Sequence, residues 1–120
     1  MDLTNPIAEG TVTITSVNVG GDNTTLNFEG VLGRYGRGFI THHLTSSDAK
    51  RDTGQLEGNA RTFMEDGTMV LAPLTGTWRR SQNQLTLFFL DNCDNGDQNF
   101  VVWEVDMVNK SGTVKAYSLK

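Results

Sequence analysis

LTLFFLDNCDNGDQNFVVWEVD, residues 85–106, decides the fold. Two runs of alternating apolar and polar residues flank a segment of Asp, Asn and Gly, the pattern of a β-hairpin. Its register depends on the turn. A two-residue turn at Asn95-Gly96 would set Leu85, Leu87 and Phe89 on one face with Asp106, Glu104 and Val102, mixing charge into an apolar wall. A type I turn at Asp94-Asn95, closed by Gly96 in the left-handed conformation of a bulge, sets the same three residues against Val105, Trp103 and Val101. The wall is then wholly apolar, and this register is the one expected.

Similar runs occur at Thr11–Val19, Thr24–Leu32, Gly38–Thr45, Gln55–Met64, Thr68–Arg79 and Thr113–Leu119, giving about eight strands. Five alanines in 120 residues, and no sustained apolar spacing of three and four, count against helices. Short polar turns join the runs, at Gly20–Asn23, Asp66-Gly67, Ser81–Asn83, Asp94–Gly96 and Lys110–Gly112. A two-residue turn at Lys110-Ser111 would pair Met107, Val105 and Trp103 with Val114, Ala116 and Ser118 inside. Asp66-Gly67 admits two registers. A bulged turn places Leu56, Gly58, Ala60 and Thr62 inside and sends Glu57, Asn59 and Arg61 into water, whereas a type I′ turn does the reverse. The bulged turn is favoured because buried charge costs several kcal/mol unless it is paired.

An all-β, about eight-stranded antiparallel up-and-down barrel follows, because closure removes the two edges of such a meander; an open β-sandwich is the alternative. One domain occupies residues 1–120, with residues 1–9 as an N-terminal arm. Fourteen acidic against ten basic residues, a net charge of -4, argue against nucleic acid as a partner. Leu85–Leu90 is too short for a membrane span, Cys93 has no partner for a disulfide within the chain, and no leader pattern opens it, so the cytoplasm is the expected compartment. No motif calls for a metal or a cofactor, and Asp91–Asp97 is explained as a turn without the ligand spacing of a calcium loop. The carboxylates beside Cys93 should push its thiol pKa up, which makes it a poor nucleophile.

Candidate chemistry gathers in two places. His42 and His43 are adjacent on a strand, so one at most enters the barrel. Counting strand directions brings them to one mouth with Glu57, Trp78, Arg79 and Arg80, beneath the long polar connection Ser46–Gly54, which is either a lid or a solvated loop. An imidazole at that rim would titrate near or below about 6.5. The opposite mouth carries Tyr35, Arg34, Arg37, Asp91 and Asn99, and Gly33, Gly36 and Gly38 there fit a tight turn better than a phosphate cradle. Outward Phe63, Met69, Leu71, Pro73, Phe88 and Leu90 form more apolar surface than a monomer usually exposes, so a homodimer or higher oligomer is expected.

Gly76-Thr77-Trp78 is similar to the Gly-x-Trp of lipocalins and avidins, although there it lies on the first strand and here on the fifth. With the meander, it gives the chain a resemblance to calycin-type small barrels and to the similar barrels of allene oxide cyclases and dirigent proteins. The resemblance implies a cavity for a small apolar organic ligand, with Gly58, Ala60, Ala72, Gly76, Ala116 and Ser118 leaving room inside. It implies either a carrier or a cofactor-independent cyclase or isomerase, and the ionisable rim favours the enzyme. His42, His43 and Glu57 would then be the acid/base groups, Arg61 an anion stabiliser, Trp78, Phe89 and Trp103 the walls, and Asp91 and Tyr35 further binding residues. A filled barrel acting through its outer face is the remaining class.

Overall fold

Alternation governs the backbone throughout the computed structural model, which describes residues 2–120. The strands are β1 (Ala8–Val19), β2 (Asn23–Val31), β3 (Arg37–Ser46), β4 (Thr53–Phe63), β5 (Met69–Ser81), β6 (Gln84–Asn92), β7 (Gln98–Asp106) and β8 (Ser111–Ser118). Each pairs antiparallel with its neighbour in sequence, and β1 pairs with β8, so the sheet is a closed up-and-down barrel of radius 8 Å. The open sandwich is thereby excluded. The seam runs from Ala8 opposite Ala116 to Thr13 opposite Ser111, so the last two residues of the expected N-terminal arm, Ala8 and Glu9, belong to the sheet.

The decisive hairpin has the expected register, with Leu85, Leu87 and Phe89 opposite Val105, Trp103 and Val101, and all six are buried. Gly96 has φ 97° and its N–H donates to the Cys93 carbonyl at 3.0 Å, closing the bulged turn. Asp66-Gly67 likewise takes the bulged form, with Gly67 at φ 88° and Phe63 opposite Met69. The alternative that turned Glu57, Asn59 and Arg61 inward is overturned, since all three are exposed.

The last hairpin corrects the expected turn. Trp103 lies opposite Val114, Val101 opposite Ala116 and Val105 opposite Gly112, four positions from the register of a Lys110-Ser111 turn. The loop is residues 107–110, and Asp106 Oδ1 accepts the N–H groups of Val108 and Asn109 at 3.0 and 3.1 Å. An aspartate holding the following backbone is an alternative to the two-residue turn. The shift is even, so the same faces stay inside.

The interior runs continuously from Ile14, Leu26, Leu44, Trp78 and Leu85 at one end to Ala8, Leu32, Tyr35, Val70 and Cys93 at the other. Gly58 and Gly76 leave no room, contrary to expectation. A Cβ at Gly76 would lie 1.9 Å from the Phe88 carbonyl oxygen, so this glycine lets β5 and β6 approach closely. Outside, Phe39, Phe63, Met69 and Leu90 are each roughly half exposed, and Phe39 and Phe63 meet edge to face at 6.1 Å. Arg79 covers Phe88, which also stacks on Phe100.

Candidate functional site

The mouth formed by the ends of β3 and β5 and the start of β4 does not assemble the expected acid/base group. His42 sits in the middle of β3, wholly buried, and is not at a rim. His43 and Glu57 face each other across β3 and β4 on the outer surface, where His43 Nδ1 meets the Thr25 hydroxyl at 3.0 Å. Arg61, also outside, lies opposite Phe39 and Leu71. Period-two geometry separates these side chains: adjacent residues on one strand cannot share a face, and Glu57 keeps the parity of His43.

This end instead carries a depression of about 220 Å³ whose lining includes Leu26, Leu44, Ser46, Arg51, Trp78 and Arg80. Trp78 is buried and donates its indole N–H to the Thr45 carbonyl at 3.1 Å. The connection Ser46–Gly54, read from sequence as a lid or a solvated loop, is tied down: Asp48 Oδ1 accepts from Asp52 and Thr53 N–H, and the Arg80 guanidinium bonds Asp52 Oδ1 and the Arg51 carbonyl. Such a loop is fixed to the barrel end by several polar contacts.

An apolar cavity of about 60 Å³ opens at the opposite mouth, lined by residues of β1, β3, β4, β5, β6, β7 and β8. Small side chains make it, namely Ala8, Ala60, Ala72 and Ala116, against Phe89 and Trp103 as walls. A second row of residues at this mouth is polar. Asp91 ends the inward-facing series Leu85, Leu87, Phe89 on β6 and stands opposite the buried Asn99 of β7. Tyr35 comes from the 3-10 turn Gly33–Tyr35, which Gly33 (φ 57°) and Gly36 (φ 78°) permit. Its hydroxyl donates to Asp97 Oδ2 at 2.6 Å and accepts from Asn99 Nδ2 at 3.2 Å, while Arg34 donates to the same Asp97 oxygen at 3.1 Å.

The electrostatics of these groups differ. The Tyr35 bond and the Arg34 charge hold Asp97 below the usual carboxylate range. Burial pushes Asp91 up to about 6, and bonds from Asn99 and Cys93 offset this only in part. Burial, with Asp91 adding to it, also pushes the Cys93 thiol up to about 12, which leaves it unreactive as expected. Tyr35 is raised as well, chiefly by burial.

His42 lies deeper than this cavity, packed against Phe28, Phe89 and Trp103 at ring-centroid distances of 5.1, 5.1 and 4.6 Å. Neither ring nitrogen has a hydrogen-bond partner among the described residues. Desolvation lowers its pKa to about 3, far below the rim value expected from sequence, so it is a neutral member of the aromatic core. Asp91 and Tyr35 were named from the sequence only as further binding residues, yet they form the polar part of the cavity mouth. The inward parity of Asp91 in residues 85–91 is the signal that singles it out.

The whole arrangement is a closed eight-stranded barrel with a small apolar cavity at one end and a desolvated carboxyl at its mouth. No family model matches the chain, and neither a curated protein nor a solved structure does.

Two desolvated groups, the buried His42 and the half-buried Asp91, shift in ways that oppose each other with pH. His42 takes up its proton near 6.5 when unfolded and near 3 when folded, so its contribution to stability is lost as pH falls below 6.5. Asp91 ionises near 3.8 when unfolded and near 6 when folded, so its contribution is present at low pH and lost as pH rises through 6. Each slope approaches about 1.4 kcal/mol per pH unit, reduced for the partly exposed Asp91 by solvent. Urea denaturation from pH 4.5 to 6.5 should therefore show a shallow dependence for the native chain. Asp91→Asn should lose stability steeply on acidification, and His42→Leu should gain it. Parallel curves for all three proteins would contradict both assignments.

Proposed function

We propose that this chain binds a small, largely apolar organic molecule in the cavity at the Tyr35–Asp91 mouth. The observation that carries this reading is the cavity itself, since its apolar wall of alanines and aromatics ends in a few convergent polar groups. The resemblance to calycin-type barrels, a likeness of architecture, supports the same use of the interior. A panel of neutral compounds of about three to four heavy atoms, titrated into the labelled protein, should perturb the amides of Ala72, Ala116 and Trp103. Ala116→Leu, which fills the space, should weaken binding at least tenfold and raise stability by about 1 kcal/mol. A panel without effect on these amides would remove the reading.

A second reading, a cofactor-independent isomerase, is favoured by Asp91 alone among the cavity groups. A carboxyl held at about 6 is matched to proton transfer near neutral pH, whereas His42 is sealed in the core. In this reading Asp91 takes the acid/base role that the sequence had offered to His42, His43 and Glu57. Acetone incubated with the protein in heavy water should exchange its α-hydrogens, and Asp91→Asn should slow that exchange about 100-fold. Equal exchange with both proteins would leave binding as the function.

Self-association through the outer face is a separate proposal, resting on the exposed Phe39, Phe63, Met69 and Leu90. With the barrel closed, side chains rather than strand edges would form that contact. Light scattering should give at least twice the 13.2 kDa chain mass, and Phe63→Lys with Leu90→Lys should return the monomer. A monomeric native chain would refute it.

A further inference from the structure

We propose that the molecule bound in this cavity is a small organic amine, its apolar body seated against Ala60, Ala72, Ala116 and Trp103 and its ammonium paired with the Asp91 carboxylate. The inference rests on the binding reading above and specifies the class of ligand. Asp91 is the last inward residue of β6 and lines the cavity, so a molecule entering from this mouth meets it. The ion pairs among the described residues are Arg34 with Asp97, Arg37 with Glu29, and Arg80 with Asp52. None includes Asp91, whose polar neighbours Asn99 and Cys93 are neutral.

A carboxylate at the wall of an apolar cavity loses hydration without gaining a counter-charge, and a ligand cation would supply one where screening is weak. An anionic head group would meet Asp91 with Asp97 close by, and would be repelled. A neutral head group would gain a hydrogen bond but no charge pairing. Thr62 adds a second, independent observation. It lines the same cavity, is buried, and its hydroxyl has no hydrogen-bond partner among the described residues. A turn about its Cα–Cβ bond would offer that oxygen as acceptor to another of the three N–H donors of an ammonium.

Charge pairing also gives a pH signature, because a protonated Asp91 offers no counter-charge. The other titratable groups at this mouth are Glu9, Tyr35 and Cys93 on the cavity wall, Asp97 with Arg34 bonded to Tyr35, and Asp94 and Lys120, whose charges act on Cys93 and Asp97. Asp97 keeps its charge well below the pH at which Asp91 loses it, so amine affinity should fall with Asp91 as the pH drops below about 6.

The test compares isopropylamine, 2-propanol and acetate on the full ¹⁵N-labelled chain at pH 7.5. The readout is the Trp103 indole N–H resonance, with Trp78, held to Thr45 at the other end of the barrel, as internal reference. The amine should bind at least tenfold more tightly than the alcohol, and the carboxylate should leave the resonance unmoved. Asp91→Asn, whose spectrum reports that it remains folded, should bring the amine within about threefold of the alcohol. Amine and alcohol binding equally, or an amine preference that survives Asp91→Asn, would overturn the inference while leaving the binding reading in place. Failure of all three compounds to bind would overturn both.

Discussion

Closure of β1 on β8 is the constraint on which the rest depends. Six residue pairs, from Ala8 with Ala116 to Thr13 with Ser111, join the chain's two ends and remove the free edges of the sheet. Beyond Thr13 the first strand leaves the seam: its register with β2 shifts between Ile14 and Ser16, and residues 15–19 are exposed. Closure at a radius of 8 Å leaves an interior that side chains can nearly fill. Whether a cavity exists is then decided by side-chain volume along each inward row. Trp78 and three leucines line the depression at one end, and alanines from β1, β4, β5 and β8 line the apolar cavity at the other.

Much of this was legible in the sequence because alternation is a strong signal when turns are short. Residues 85–106 specify their own register, since any odd slip would mix Glu104 and Asp106 into the apolar wall. The Lys110-Ser111 turn was misread for the complementary reason: a slip of an even number of residues keeps every face and so leaves the apolar pattern unchanged. Only the Asp106 side chain, holding the backbone of Val108 and Asn109, distinguishes the two arrangements. The site was harder still. Strand direction alone brought His42 and Glu57 to one mouth, but depth along β3 and parity along β4 separate them by the thickness of the barrel wall. Glycine was also an unreliable guide to space, because a missing side chain can admit a neighbouring strand as readily as a ligand.

The polar groups inside the barrel are distributed unequally, and their environments give them different roles. His42 is surrounded by Phe28, Phe89 and Trp103 and stays neutral, so it belongs to the packing. Near the mouth, Tyr35, Asn99, Asp97 and Arg34 satisfy one another through hydrogen bonds. Asp91 sits beside that network with weaker support from Asn99 and Cys93. An internally satisfied cluster thus stands next to one carboxyl that has no charged partner among the described residues.

The four alanines around the cavity come from four different strands, and none of their side chains takes part in the hydrogen-bonded ladder that closes the barrel. The capacity of the interior is thus separable from the architecture that encloses it. An exchange among glycine, alanine and valine at any of these positions would rescale the chamber by a methyl group or two while leaving strand pairing, closure and the Asp91 mouth in place. A lineage of such barrels could drift from one molecular size to another in small, individually tolerable steps.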